Sequence, residues 1–167
     1  VSIVDGKLLV KYSKDVSSRL YVYSMDGKKE AEVALPTIGT AYGFGGKMED
    51  TEVFYTFTSF AYPTSVFRYD IRENISTMYR QSEIDIDFSK YETKQIFYSS
   101  KDGTQVPMFV THKKGLVYDG TAHTLLYAYG GFNISINPHF SISRMLLIES
   151  DGIYAIANLR GGGEYGE

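Results

Sequence analysis

The sequence has 167 residues, of which 43% are hydrophobic and 22% charged, a size and composition that suit one folded domain or parts of two and exclude a disordered chain. Seventeen Lys and Arg against twenty Asp and Glu leave a net charge of -3, which gives nucleic acid or an anionic membrane no electrostatic footprint. Cysteine is absent, so disulfides, thiolate metal sites and cysteine nucleophiles are excluded together. Fifteen Tyr and ten Phe, with no Trp, favour half-buried pleated surfaces and therefore β structure. No apolar run approaches the roughly 20 residues of a membrane-spanning helix, and no basic-then-apolar leader opens the sequence. Val1 at one end and a glycine-rich stretch closing on Glu167 at the other are what an internal piece of a longer chain is expected to show.

Residues 1 to about 82 read almost wholly as strands. Residues 7–12 form an apolar run that ends in a polar Ser13-Lys14-Asp15 turn. Residues 19–24 are rich in β-formers and run into Asp26-Gly27, a hairpin signal. Residues 30–35 alternate towards Pro36, and residues 40–46 alternate aromatic and small side chains, as a strand lying close to other backbone does. Leu8-Leu9-Val10-Lys11-Tyr12 aligns with Val53-Phe54-Tyr55-Thr56-Phe57 about 45 residues later, and Leu20-Tyr21-Val22-Tyr23 aligns with Val66-Phe67-Arg68-Tyr69 about 46 later. Several strands per period of roughly 40–50 residues is the spacing of propeller blades; an ordinary antiparallel meander is the competing reading.

The texture changes at residues 82–90. Glu83, Asp85 and Asp87 alternate with Ile84, Ile86 and Phe88, which suits a solvated connecting segment and offers no metal-ligand spacing. A boundary here divides the chain into residues 1–84 and 85–167. Beyond it, residues 93–99 and 105–112 form a hairpin through Asp102-Gly103. The continuous apolar run 124–129 predicts a strand covered on both faces, and it stops at Gly130-Gly131. Ile142, Met145, Leu146 and Ile148 lie at helical spacing within residues 140–149, and Asp151-Gly152 ends that helix. Residues 153–158 then predict a second buried strand. Strand, glycine loop, helix and strand make a βαβ unit with a parallel pair.

Acyl-transfer chemistry needs a nucleophile, a base, and donors aimed at the oxygen that becomes negative. Tyr129-Gly130-Gly131-Phe132 lies directly after a strand, where glycine admits close approach and a tyrosine hydroxyl donates one hydrogen bond. Lipase-type hydrolases carry a His-Gly-Gly sequence at such a loop; a Tyr stands in the place of that His. Another sheet aromatic followed by a plain turn is the bland alternative. No G-x-S-x-G elbow occurs, and His112, His123 and His139 are expected to be surface residues. Gly161-Gly162-Gly163-Glu164-Tyr165-Gly166 matches the dinucleotide fingerprint G-x-G-x-x-G, which requires a following helix and a later acidic residue. Asn74-Ile75-Ser76 and Asn133-Ile134-Ser135 match the glycosylation acceptor pattern and, without a leader, are read as coincidental.

The segments Ile96-Phe97-Tyr98-Ser99-Ser100-Lys101-Asp102-Gly103-Thr104, Val106-Pro107-Met108-Phe109, Tyr127-Ala128-Tyr129-Gly130-Gly131-Phe132-Asn133-Ile134-Ser135 and Asn158-Leu159-Arg160-Gly161-Gly162-Gly163-Glu164-Tyr165-Gly166-Glu167 resemble the catalytic domain of the prolyl oligopeptidase (prolyl endopeptidase) family of serine peptidases. Asp50 to Phe60 is similar to that family's last propeller blade. The resemblance implies a mixed fold: closing blades of a β-propeller over residues 1–84, then the start of an α/β-hydrolase domain over 85–167. It implies a cytoplasmic serine peptidase that cleaves short peptides after proline, without cofactor or metal, and without nucleic-acid or membrane partners. On that resemblance Tyr129 helps stabilise the oxyanion, while Phe132, with Gly130 and Gly131, lines the pocket for the substrate proline. Ala128 and Leu159 depart from the glycine and isoleucine expected there. The nucleophilic Ser and its Asp and His have no matching positions, so the fragment alone is expected to be inactive and to present unpaired edges to the remainder of the same polypeptide. A stand-alone β-rich protein-binding module is the alternative of another class, and a dinucleotide oxidoreductase a third.

Overall fold

Residues 1–166 are described by the computed structural model of the chain. β-formers interrupted by tight turns build its first half. β1 (Ser2–Val4), β2 (Lys7–Lys14), β3 (Ser17–Ser24) and β4 (Lys29–Val33) form one antiparallel sheet in sequence order, and β5 (Thr40–Gly45), β6 (Glu52–Ser59), β7 (Tyr62–Asp70) and β8 (Ile75–Gln81) form a second. The strands of the proposed repeat occupy equivalent places, β2 with β6 and β3 with β7, so the chain makes two successive four-stranded units rather than one meander. The short β1 and the edge strand β8 complete these units beyond the strands singled out above. The turn expected at Ser13-Lys14-Asp15 lies instead at Asp15-Val16. Ser13 pairs with Ser18 and Lys14 with Ser17, and φ values of 48° and 62° at Asp15 and Val16 give the two-residue loop that follows strand twist.

Alternate side chains from both sheets meet in one core, with Val4, Leu9, Leu20, Val22 and Val33 facing Phe44, Val53, Tyr55, Phe57, Phe67 and Tyr69. Tyr55 stacks on Phe67 with ring centroids 5.3 Å apart, and the Tyr69 hydroxyl donates to Asn74 Oδ1 at 2.8 Å. The Ala41 N–H donates to Ser18 Oγ at 3.0 Å. Arg72 grips both carboxylate oxygens of Asp5 at 2.8 and 2.9 Å, so the sheets are tied through their turns as well as their faces.

The acidic stretch 82–87 belongs to no strand and leads through a single 3-10 turn, Phe88–Lys90, into a third sheet of β9 (Tyr91–Ser99), β10 (Gln105–Lys113), β11 (Thr124–Ala128) and β12 (Ile153–Ala157). Its order is β11-β12-β10-β9. β10 is antiparallel to both neighbours, and β11 runs parallel to β12 from Thr124 opposite Ile153 to Ala128 opposite Ala157. The crossover contains α1 (Ile142–Glu149), which buries Met145 and Ile148 and ends where Asp151 turns to φ 59° and the Gly152 N–H donates to Leu147 O at 2.9 Å. The predicted βαβ unit is therefore present. The expectation that β11 is covered on both faces is not met: all five of its residues are exposed, because it is the edge of this sheet and α1 lies over its neighbours. No helix among the described residues is long and apolar enough to cross a membrane.

A second core joins the halves. Val16 and Phe60-Ala61, at the tips of the β2–β3 and β6–β7 hairpins, insert beside Tyr91, Phe109, Met145, Ile148, Tyr154 and Ile156. Phe60, 1% exposed, lies 5.4 Å from the Phe109 ring and 6.0 Å from Tyr154. Phe60→Ala should cost about 3–5 kcal/mol, measured as a lower urea midpoint at unchanged slope. Tyr69 provides a pH test: burial, then the charge of Asp70 and the neighbouring Tyr55, pushes its hydroxyl up to about 12. Because the folded value exceeds the unfolded one, this contribution is complete below about pH 10. It should disappear as pH rises towards 12, with a late tyrosinate absorbance step that Tyr69→Phe removes.

Candidate functional site

Parallel pairing sends the carboxyl ends of β11 and β12 in the same direction, so the loops that leave them emerge side by side, the usual position of a ligand crevice in sheets of this kind. The loop after β11 begins with Tyr129, which is 45% exposed. Its ring lies along Gly131, where an added Cβ would touch Cε1 at 3.6 Å. Gly130, Phe132 and Asn133 have φ values of 61°, 51° and 56°. Glycine takes this conformation freely, but a bulky Phe rarely does. The result is a tight knuckle from which the Phe132 ring projects, 91% exposed. The four residues singled out in sequence, Tyr129, Gly130, Gly131 and Phe132, thus share one turn, with both aromatic rings on the solvent side.

The second loop supports the first. The Asn133 N–H donates to Gly161 O at 3.0 Å, and within the knuckle the Ile134 N–H donates to Gly131 O at 3.0 Å. A Cβ on Gly130 would fall 2.6 Å from Leu159 Cβ, and one on Gly161 would fall 2.6 Å from Gly130 O. The space that the fingerprint G-x-G-x-x-G reserves for a pyrophosphate is therefore filled by the chain's own backbone. No helix follows within the described residues; Glu167 lies outside them.

Two further polar residues, Asn158 and Glu164, complete the junction. Asn158, 5% exposed, donates from Nδ2 to Ile136 O at 2.9 Å and to Glu164 Oε1 at 3.0 Å, and the same Glu164 oxygen accepts the Ile136 N–H at 2.9 Å. Asn158 Oδ1 is buried without a partner among the described residues. An amide at the end of a buried strand, six positions ahead of a carboxylate set among glycines, was the available signal. Beside them a cavity of about 410 Å³ opens between the start of β10 and the second loop, lined in part by Pro107, Asn158, Leu159 and Arg160.

Arg160 leaves that loop to bind Asp102 at 2.5 Å and Ser100 Oγ at 3.1 Å, in the turn between β9 and β10. His112 departs from the expectation of a surface residue: it is 1% exposed, with Nδ1 2.7 Å from Lys113 O and Nε2 2.6 Å from the Tyr118 hydroxyl. The carbonyl can only accept, so Nδ1 carries a proton there, and the tyrosine hydroxyl, able both to donate and to accept, pairs with Nε2. That pairing fills both ring nitrogens and accounts for burial at a strand end flanked by lysines. His123 and His139 are exposed. Among the described residues no three His, Asp or Glu side chains gather to hold a metal ion.

Residues 1–82 match the family described as prolyl oligopeptidase, N-terminal beta-propeller domain. A prolyl endopeptidase of Elizabethkingia miricola is 43% identical over 162 residues, covering 97% of this chain and 23% of its own length. The chain is thus similar to members of the prolyl oligopeptidase family over almost all of its own length. Among solved structures, one from a structural and mechanistic study of two prolyl endopeptidases superimposes with a TM-score of 0.87 at 42% identity, over 99% of this chain and 24% of that one. Prolyl oligopeptidase B of Galerina marginata, bound to a 35mer hydrolysis and macrocyclization substrate, gives 0.87 at 31% identity, over 99% and 24%. The chain thus spans about a quarter of the length of the family members it matches.

The Arg160–Asp102 contact provides a test of how the second loop is anchored. The Arg160 guanidinium, assisted by Thr104, holds the Asp102 carboxyl down to about 2. A lowered folded value means that the contribution is present above the usual carboxylate range and lost as pH falls towards 2. Arg160→Ala should return most of the Asp102 titration, followed by its carboxyl carbon resonance, towards about 4; an unmoved midpoint would mean that the turn amides, not Arg160, set it.

Proposed function

We propose that this chain forms part of a serine endopeptidase that cleaves short peptides on the carboxyl side of proline. In this reading residues 1–84 are closing blades of the propeller, and residues 85–167 open the α/β-hydrolase domain. The observation that carries it is the knuckle at the carboxyl end of β11, where a tyrosine and a phenylalanine stand on the exposed side of two glycines. The chemistry follows from those groups. As a serine oxygen adds to the carbonyl carbon of a prolyl residue, the carbonyl oxygen becomes negative, and the Tyr129 hydroxyl donates to it. A donor fixed beforehand by the sheet stabilises the transition state more than the neutral carbonyl, because the charge it meets is larger there. The flat ring of Phe132 packs against pyrrolidine without leaving a polar group unpaired. Gly130 and Gly131 present no side chain between the two.

No cofactor or metal enters this chemistry. The nucleophile and its base are supplied by the remainder of the same polypeptide, since the 167 residues contain no G-x-S-x-G segment; the chain alone is inactive and the whole enzyme works in the cytoplasm. Leu125, Leu126 and Leu146 are 51%, 61% and 71% exposed, and in this reading that apolar surface is covered by the same remainder. The second reading, a β-rich module that meets a separate protein through this surface, is favoured instead if the native product has the mass of these residues alone.

In the complete enzyme, Tyr129→Phe should lower kcat about 10²–10³-fold for a proline reporter, the usual effect of removing one oxyanion donor, with little change in KM. Phe132→Ala should raise KM about tenfold or more and erode the preference for proline over alanine. Unchanged turnover of the Tyr129→Phe enzyme at saturating substrate would reject the assignment.

A further inference from the structure

We infer that Glu164 is a positioning residue for the loop that carries Tyr129 and Phe132, with the three glycines before it forming the bed on which that loop lies. The inference rests on the peptidase reading for its catalytic consequence, but the geometry is independent of it. Glu164 Oε1 accepts two hydrogen bonds from two different elements, the Ile136 N–H at 2.9 Å and Asn158 Nδ2 at 3.0 Å. Asn158 closes the ring by donating to Ile136 O at 2.9 Å. Both polar backbone groups of Ile136 are therefore held by the second loop. At the other end of the knuckle, Asn133 is held by Gly161 O.

Between these two fixed points the loops touch where side chains would not fit. A Cβ on Gly163 would lie 2.5 Å from Asn133 O, 2.8 Å from Asn133 Oδ1 and 3.0 Å from Ser135 Oγ; one on Gly162 would lie 3.0 Å from Ile134 O. The sequence Gly161-Gly162-Gly163-Glu164 thus reads as a unit with one purpose. Three residues without side chains let the backbones approach, and the fourth supplies a charged acceptor that fastens the approach. A carboxylate is suited to the task because it has capacity for several donors at once and its bonds are shorter and stronger than those of a neutral acceptor. Among the described residues Glu164 bonds to Ile136 and Asn158 and not to Tyr129 or Phe132, so its influence on chemistry is through the knuckle. A displacement of about 1 Å in a catalytic donor is enough to lose roughly 10²-fold in rate.

The test uses the complete enzyme carrying these residues, in four forms: wild type, Glu164→Ala, Glu164→Gln, and Glu164→Ala combined with Tyr129→Phe. Hydrogen exchange at the Ile136 amide should accelerate about tenfold or more in Glu164→Ala, while the Phe109 amide in the third sheet keeps its wild-type rate. For a proline reporter, Glu164→Ala should lower kcat between about tenfold and 10²-fold with KM changed much less. Glu164→Gln, which keeps an acceptor oxygen, should recover most of the loss, and the Ala substitution should cost less than about threefold in the Tyr129→Phe background, because both changes remove one interaction. Unaltered Ile136 exchange, unaltered kcat, or a full additional loss in the double variant would each overturn the inference. If Glu164→Ala does not fold, the Gln variant decides alone: native folding with Ile136 exchange measurably faster than wild type and kcat reduced, but by less than in Tyr129→Phe, supports the role, and wild-type exchange and kcat, or a loss as large as that of Tyr129→Phe, overturns it. Failure of the peptidase reading appears separately, as an unchanged kcat of Tyr129→Phe alone.

Discussion

Two backbones approach each other at the carboxyl end of the third sheet more closely than side chains permit, and the candidate site is a consequence of that contact. The parallel pairing of β11 and β12 fixes where the loops start. The missing Cβ atoms at Gly130, Gly161 and Gly163 let them meet, and the Asn158–Glu164–Ile136 ring keeps them there. Close backbone packing buries polar groups along with apolar ones, and each N–H or C=O removed from water needs a partner. The second loop meets that demand with one side-chain amide and one carboxylate. Arg160, leaving the same loop in the opposite direction, ties it to the β9–β10 turn.

The first two sheets matter to the site because of where their hairpin tips end. Val16 and Phe60-Ala61 sit at corresponding positions of the two repeat units and enter the same core as Met145 and Ile148 of the crossover helix. Polar links run parallel to this packing: Gln95 Nε2 donates to Asp15 O at 2.6 Å, Thr40 Oγ1 to Pro138 O at 2.7 Å, and the Phe140 N–H to Thr58 Oγ1 at 3.1 Å. The last two hold the segment between the Tyr129 loop and α1. Loop, helix and blade-like units are therefore mechanically continuous, with the stiff, close-packed interior transmitting position from one to the next.

Local chemistry made most elements legible in the sequence. Asp-Gly turns, β-branched and aromatic runs and the 45-residue offset placed both four-stranded units, and the switch to helical spacing placed α1. Environment made the remainder illegible. The apolar run 124–128 has the composition of a strand covered on both faces, yet it is an edge strand, because composition records a preference for burial and not which neighbours are present. His112 reads as a surface residue because lysines follow it; its ring is paired by Tyr118, which folds back onto it from the loop six positions later. The knuckle residues were found because glycines and aromatics after a strand announce themselves. Glu164 carries no local signal of its position, since a hydrogen bond across 28 positions of sequence to Ile136 leaves no periodicity to read.

Two bulky residues in left-handed backbone conformation separate stability from site geometry. Val16 at φ 62° is strained, and its side chain, 1% exposed, is inserted into the second core, so burial offsets the strain where it arises. Phe132 at φ 51° has no such compensation, since its ring is 91% exposed. The conformation must be maintained by what grips the backbone on either side: Asn133 bound to Gly161, Ile134 to Gly131, and Ile136 to Glu164 and Asn158. Strained conformations persist when their surroundings over-determine them, and they gather at functional sites. An exposed aromatic ring held in a costly conformation by part-buried hydrogen bonds contributes nothing evident to folding, which is the pattern expected if Phe132 has the substrate-binding role proposed above.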